Sequence, residues 1–82
     1  MIELELLSRA GCGLCEEMKA ALERALFGLD VRIREVDVDA EPQLRVRYGD
    51  DVPVLLMNGV KMLEHRATDD AIRELLATLR RS

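Results

Sequence analysis

The chain opens with an alternation of apolar and acidic side chains. Ile2, Leu4 and Leu6 are apolar, and Glu3 and Glu5 lie between them. A period of two places every second side chain on the same face of an extended backbone. The pattern therefore predicts that the chain begins with a half-buried strand.

A helical spacing follows the Ser-Arg-Ala-Gly loop. Apolar residues recur three, four and seven positions apart, which is typical of an amphipathic helix; they are Leu14, Met18, Ala21, Leu22, Ala25 and Leu26. The helix is predicted to run from about Gly13 to Phe27. Gly28 is placed to end it, because glycine is common just past the last helical turn.

The middle of the chain predicts a second strand and a short helix. β-branched residues are frequent between Val31 and Asp37, which favours a strand. Glu41-Pro42 then begins a short helix, since proline is well tolerated in a first helical turn. The Gly49-Asp50-Asp51 segment ends it.

A hairpin and a last helix complete the chain. The apolar run Val52–Met57 leads into Asn58-Gly59, the pair that a type I′ turn favours, so residues from Val60 to about His65 are predicted to return antiparallel. Thr68 offers an N-cap for the final helix. The apolar stripe of that helix consists of Ile72, Leu75, Leu76 and Leu79.

These elements give the order β-α-β-α-β-β-α within one domain, residues 1–82. Strands joined through a helix are expected to be parallel, and hairpin strands antiparallel. The sequence therefore predicts an α/β fold with a four-stranded mixed sheet flanked by three helices.

Composition narrows the classes of function. The formal charge is −4, and Phe27 and Tyr48 are the two aromatic residues, which argues against a nucleic-acid surface. There is no apolar run of about 18 residues to cross a membrane. The first residues lack the basic start of a secretory signal. We expect a monomer in the cytoplasm.

Both cysteines lie three positions apart at the start of the first predicted helix, in Cys12-Gly13-Leu14-Cys15. A thiolate at Cys12 would face unpaired backbone N–H groups and the positive end of the helix dipole, which lower a thiol pKa. Cys15, about one turn further on, is placed to attack a mixed disulfide on Cys12. Gly13 keeps the helix start open to an incoming sulfur atom. The spacing therefore favours a redox pair.

Two other roles for the cysteine pair are open at this point. A closed zinc site needs about four ligands, and outside the pair the chain offers His65 and carboxylates. Two chains sharing a zinc ion or an iron–sulfur cluster would supply enough ligands. A purely structural disulfide closing so short a loop is disfavoured in a reducing compartment. A lone histidine such as His65 is more often solvated than functional.

The whole chain resembles the thioredoxin superfamily, and most closely the small glutaredoxin-like proteins. The motifs that carry this resemblance are the opening strand, the CGLC motif that begins the first helix, Val52-Pro53 before the third strand, the Asn58-Gly59 hairpin and the acidic start of the last helix. The resemblance implies a cis Val52-Pro53 bond. It also implies that Pro53 lies beside the sulfurs and that the Val52 backbone is free to pair with a substrate.

The resemblance also suggests binding residues for glutathione. Arg9 lies three positions before Cys12, where the family carries a basic residue that can pair with a glutathione carboxylate; a solvated loop charge is the alternative. Asp69 belongs to the acidic segment that receives the glutathione amine. Arg66-Ala67 replaces two family glycines, and Leu14 stands where glutaredoxins favour an aromatic residue.

From these residues we expect a thiol-disulfide oxidoreductase. Cys12 would act as nucleophile and Cys15 as resolving thiol, on a disulfide-containing protein or a glutathione mixed disulfide. No bound cofactor is expected, and glutathione or a reductase would supply the electrons. The alternative is a non-catalytic binding module that uses the pair for a metal or an iron–sulfur cluster across a dimer.

Overall fold

The computed structural model of the protein describes residues 1–81. These residues form four strands and three α-helices: β1 (Ile2–Ser8), α1 (Gly13–Ala25), β2 (Val31–Asp37), α2 (Pro42–Tyr48), β3 (Val54–Met57), β4 (Val60–Glu64) and α3 (Asp69–Arg80). The predicted order of elements is confirmed. Across the same residues, none of the helices has the length and apolar content that a membrane crossing requires.

The four strands form one mixed sheet in the order β2-β1-β3-β4. β1 and β2 are parallel, whereas β3 is antiparallel to both β1 and β4. The parallel register places Glu3 opposite Arg32 and Glu5 opposite Arg34, and both pairs form ion pairs across the strands. Unlike charges that face each other across two strands favour this register over a shifted one.

The core lies on both faces of the sheet. On one face, α1 and α3 bury apolar side chains against β1, β3 and β4, in a cluster made of Leu4, Leu6, Met18, Leu22, Leu26, Leu55, Leu63, Leu75 and Leu79. A smaller cluster on the other face consists of Leu7, Val38, Val54 and Leu56, with Leu44 and Tyr48 of α2 packed against it. The helix that begins with the cysteine motif is therefore anchored on the larger core.

Several element ends differ from the sequence prediction. α1 ends at Ala25 rather than near Phe27, because the chain turns there: the Leu29 N–H donates to the Leu26 carbonyl at 3.0 Å, and Gly28 adopts a φ of 83°. Phe27 is consequently 89% exposed. A short 3-10 turn over Val38–Ala40 was not predicted.

The hairpin agrees with the prediction at its start and is one residue shorter at its end. β3 begins at Val54, directly after Val52-Pro53. β4 ends at Glu64, because His65 adopts a left-handed φ of 66°.

Candidate functional site

The sequence-predicted site residues gather at one end of the sheet. The strand register places the end of β1 beside the end of β2, with Ser8 opposite Asp37. It also places the start of β3 beside the ends of β1 and β4, since Val54 lies opposite both Leu7 and Glu64. The loops that follow β1, β2 and β4 and the loop that precedes β3 therefore meet at this end.

A tight turn carries the chain from β1 into α1. The Cys12 N–H donates to the Arg9 carbonyl at 3.3 Å, which closes a four-residue turn. Gly11, the third residue of the turn, has a φ of 76°, a conformation that glycine adopts readily and other residues rarely do. The turn sets the direction in which Cys12 enters the helix.

Cys12 is the N-cap of α1. Its Sγ accepts the N–H of Cys15 at 3.1 Å, so a backbone donor at the helix start points at this sulfur. Hydrogen bonds to a thiolate and the positive end of a helix dipole both favour the charged form of a cysteine. Cys12 thus lies at the start of α1, and its role as nucleophile stays a prediction.

The two cysteines differ in exposure and are joined by a disulfide. Their Cα atoms lie 5.2 Å apart, within the usual range for a disulfide. Cys15 is only 2% exposed, whereas Cys12 is half-buried. An incoming molecule can therefore reach Cys12 more easily than Cys15.

A groove of about 460 Å³ lies between α1 and the turn from β4 to α3. Its lining includes Leu14, Glu17 and Ala21 from the helix, and His65, Arg66 and Thr68 from the turn. Leu14, which lies between the two cysteines in the sequence, is thus part of the groove wall. Gly13 is exposed, with nothing within 4 Å of the position that a Cβ would take, so the helix start is sterically open.

The Val52-Pro53 peptide bond is cis, as the resemblance implied. Pro53 is buried, and its carbonyl accepts the N–H of His65 at 2.8 Å. Within residues 1–81, no backbone hydrogen bond to Val52 is found. The pairing of the Val52 backbone with an extended substrate stays a prediction.

Arg9 donates its guanidinium hydrogens to groups of this chain. Nε and Nη2 bind the two carboxylate oxygens of Asp39 at 3.0 and 2.9 Å, and Nη1 donates to the Gly49 carbonyl at 3.1 Å. The hydrogen bond and the charge of Asp39 raise the pKa of Arg9, and the hydrogen bond from Arg9 lowers the pKa of Asp39. Arg9 is thus paired within the chain, and its binding of a substrate carboxylate stays a prediction.

Asp69 is the first residue of α3 and is exposed. The helix start is capped by Thr68, whose Oγ1 accepts the N–H of Ala71 at 3.1 Å. Thr68 also lines the groove, so Asp69 directly follows a groove residue. Its predicted role toward an amine remains a prediction.

Three side chains that could ligate a metal lie close together. In the described part of the chain, such a group is formed by Asp51, Glu64 and His65, whose ligand atoms all lie within 4.8 Å of one another. His65 Nε2 lies 3.8 Å from Asp51 Oδ1, and Glu64 is paired with Lys61 at 3.0 Å. Cys12 and Cys15 are not members of this group.

Sequence reasoning missed Asp39 and Gly49, the two partners of Arg9. Asp39 follows the end of β2, and a parallel sheet brings that end next to the end of β1, so a carboxylate close to Arg9 was a detectable signal. Gly49 was taken only as a helix terminator. It is buried, and a Cβ there would lie 3.3 Å from Arg9 Nη2 and would overlap the Arg45 carbonyl.

Replacing Gly49 with alanine is therefore expected to destabilise the fold by about 1–3 kcal/mol, the usual cost of forcing extra volume into a packed position. Gly13→Ala is the matched control, because its Cβ would enter open space and alanine is the better helix former. Denaturant unfolding of both variants gives the comparison. Equal stability of the two would contradict the tight packing at Gly49.

Comparisons with known proteins agree with this architecture. A family model described as Glutaredoxin-like domain (DUF836) matches residues 3–77. An uncharacterized protein of Mycobacterium tuberculosis, Rv0508, is 39% identical in an alignment that covers 87% of this chain and 84% of that protein. The resemblance inferred from the sequence is confirmed.

Solved structures share the fold. A structural genomics target protein from X. campestris superposes with a TM-score of 0.76 at 29% identity, covering 92% of this chain and 96% of that one. A mutant thioredoxin from Halobacterium salinarum superposes with a TM-score of 0.61 at 26% identity, covering 94% of this chain and 73% of that one. The fold is thioredoxin-like, of the α/β class.

Proposed function

The chain belongs to the glutaredoxin-like family of the thioredoxin superfamily, and we propose that it is a thiol-disulfide oxidoreductase whose reactive groups are Cys12 and Cys15. The observation that carries this proposal is the asymmetry of the pair. Cys12 is half-buried and its Sγ accepts a helix-start N–H, whereas Cys15 is 2% exposed. Such a pair has one sulfur for an external partner and one for the return step.

The reaction begins from the reduced pair. The Cys12 thiolate attacks one sulfur of a substrate disulfide, forms a mixed disulfide and releases the other substrate sulfur as a thiolate, which takes up a proton. The Cys15 thiolate then attacks Cys12 Sγ and releases the second substrate thiolate. Two electrons pass to the substrate, and the protein is left with the Cys12–Cys15 disulfide, the form described above.

The neighbouring elements support the first step. The N–H of Cys15 and the start of α1 favour the thiolate of Cys12 over its thiol. The free backbone groups of Val52 can pair with an extended polypeptide, as an added strand would. The groove beside Leu14 provides room for further substrate atoms.

The cycle needs an external reductant. Glutathione or a reductase returns the Cys12–Cys15 disulfide to the dithiol, and no cofactor bound to the protein takes part. We assign the activity to the cytoplasm, where such donors keep thiols reduced. The partner is a protein disulfide or a glutathione mixed disulfide.

A redox titration combined with metal analysis tests the proposal. Protein purified without oxygen is analysed for zinc and iron, equilibrated in buffers of graded potential and probed by thiol alkylation. We expect a single two-electron transition between about −270 and −180 mV, the range of thioredoxins, glutaredoxins and protein disulfide isomerase. We also expect turnover of a model disulfide with glutathione or thioredoxin reductase as donor.

Two results would contradict the proposal. One is stoichiometric zinc or iron bound through both cysteines, which would favour the binding module. The other is a metal-free protein with a reversible dithiol that turns over no disulfide with either donor.

A further inference from the structure

The one guanidinium in the turn before Cys12 is neutralised within the chain. Arg9 and Cys12 are the first and last residues of a hydrogen-bonded turn, so their Cα atoms lie within about 7 Å of each other. Three of the five N–H groups of Arg9 donate to Asp39 and Gly49. The contact with Asp39 is bidentate, the geometry in which guanidinium and carboxylate pair best.

Further acidic groups surround this pair. Asp37 and Asp50 also act electrostatically on Arg9, and Arg45 acts on Asp39. Among these five side chains three are aspartates and two are arginines, a formal balance of −1 within the group. A hydrogen bond also ties Asp39 to Asp37, because the Asp39 N–H donates to Asp37 Oδ1 at 2.9 Å.

A substrate carboxylate at this place would meet two obstacles. It would have to replace Asp39 on the guanidinium, and it would approach a region that is already negative. A neutral or basic group next to the substrate disulfide would meet neither. Exposed ion pairs are weak, so the expected discrimination is a matter of several-fold rather than of orders of magnitude.

We propose that Asp39 is a specificity-determining residue: by occupying Arg9 it directs Cys12 toward disulfides flanked by neutral or basic groups and away from disulfides that carry carboxylates. This inference rests on the proposed thiol–disulfide exchange at Cys12. It names the substrate class that the exchange favours, and it assigns a role to a residue outside the cysteine motif.

The test compares two small disulfides in a single oxidation of the reduced protein. Oxidised glutathione is the anionic probe and bis(2-hydroxyethyl) disulfide the neutral one. Second-order rate constants are measured for the wild type, Asp39→Asn, Arg9→Met and the double variant. Glu3→Gln is the matched control, because it removes the same charge from another carboxylate–arginine pair, Glu3–Arg32, at the opposite end of β1.

We expect Asp39→Asn to raise the ratio of anionic to neutral rate constants about three- to fivefold, since it frees the charge of Arg9. The rise should shrink in high salt, which screens exposed charges, and should be absent from the double variant. Glu3→Gln should leave the ratio unchanged. Because the result is a ratio of two rate constants, a change in Cys12 reactivity that affects both probes equally cancels.

Three outcomes would overturn the inference: an unchanged ratio in Asp39→Asn, an equal rise in Glu3→Gln, or a rise that persists without Arg9. The assay measures one oxidation of the dithiol in each protein molecule, so it does not require catalytic turnover. A failure of the proposed oxidoreductase activity would instead show as the absence of turnover with glutathione and with a reductase, whatever the ratio.

Discussion

Cys12→Ser is expected to abolish all measurable disulfide reduction, while Cys15→Ser is expected to form a stable mixed disulfide with its substrate. Serine has a hydroxyl in place of the thiol and so cannot form a thiolate. The first variant therefore cannot begin the exchange. The second can begin it but has no neighbouring sulfur to complete it. The buried position of Cys15, 2% exposed, explains why it cannot take over the first step.

Turnover assays and intact-mass spectrometry measure these effects together. After reaction with a model disulfide, Cys15→Ser should carry one adduct, and peptide mapping should locate it on Cys12. Val46→Ala, which keeps both sulfurs and changes an exposed residue of α2, is the control for the effect of a substitution outside the site. Full turnover by Cys12→Ser would refute the assigned roles, and so would an adduct that forms faster on the Cys15 of Cys12→Ser than on the Cys12 of Cys15→Ser.

The elements that the sequence predicted well are those with strong local signals. The alternation in β1 and the apolar stripe of α1 are both reflected in burial: Leu4 and Leu6 are fully buried, and so are Met18 and Leu22. The Asn58-Gly59 pair marked the hairpin because both residues must adopt a positive φ, and both do so, at 52° and 80°. Such signals depend on neighbours within a few positions of the chain.

Features set by distant residues were not predictable in the same way. Arg9 and Asp39 are 30 positions apart, and Arg9 and Gly49 are 40 apart. Nothing near Arg9 in the chain distinguishes an internal ion pair from a free ligand-binding charge. Only the pairing of β1 with β2 brings Asp39 to this turn.

The end of β4 shows the same limit. The Asn58-Gly59 hairpin signal predicted a return strand from Val60 to about His65. The structure turns at His65 instead, where its N–H is held by the Pro53 carbonyl at 2.8 Å. The conformation of this residue therefore depends on the cis-proline loop, which is distant in sequence but adjacent across the sheet.

Leu22→Ala is expected to lower the free energy of unfolding by about 2–5 kcal/mol, the range for truncating a buried leucine. Leu22 is 0% exposed and packs in the larger core, where α1 meets the sheet. Because alanine is the best helix former, the loss reports packing rather than helix propensity. In a domain of this size, each kcal/mol corresponds to a fall in Tm of roughly 4–8 °C.

Val46→Ala is the matched control for this prediction, because Val46 is also an aliphatic helix residue but is 86% exposed. Its free energy of unfolding should change by no more than about 0.5 kcal/mol. Urea unfolding measures both variants, with the disulfide kept intact so that the unfolded states are comparable. A loss below about 1 kcal/mol for Leu22→Ala would mean that α1 does not rest on the sheet as described. The positions of Cys12 and Cys15 would then lack the rigid support that the proposed exchange requires.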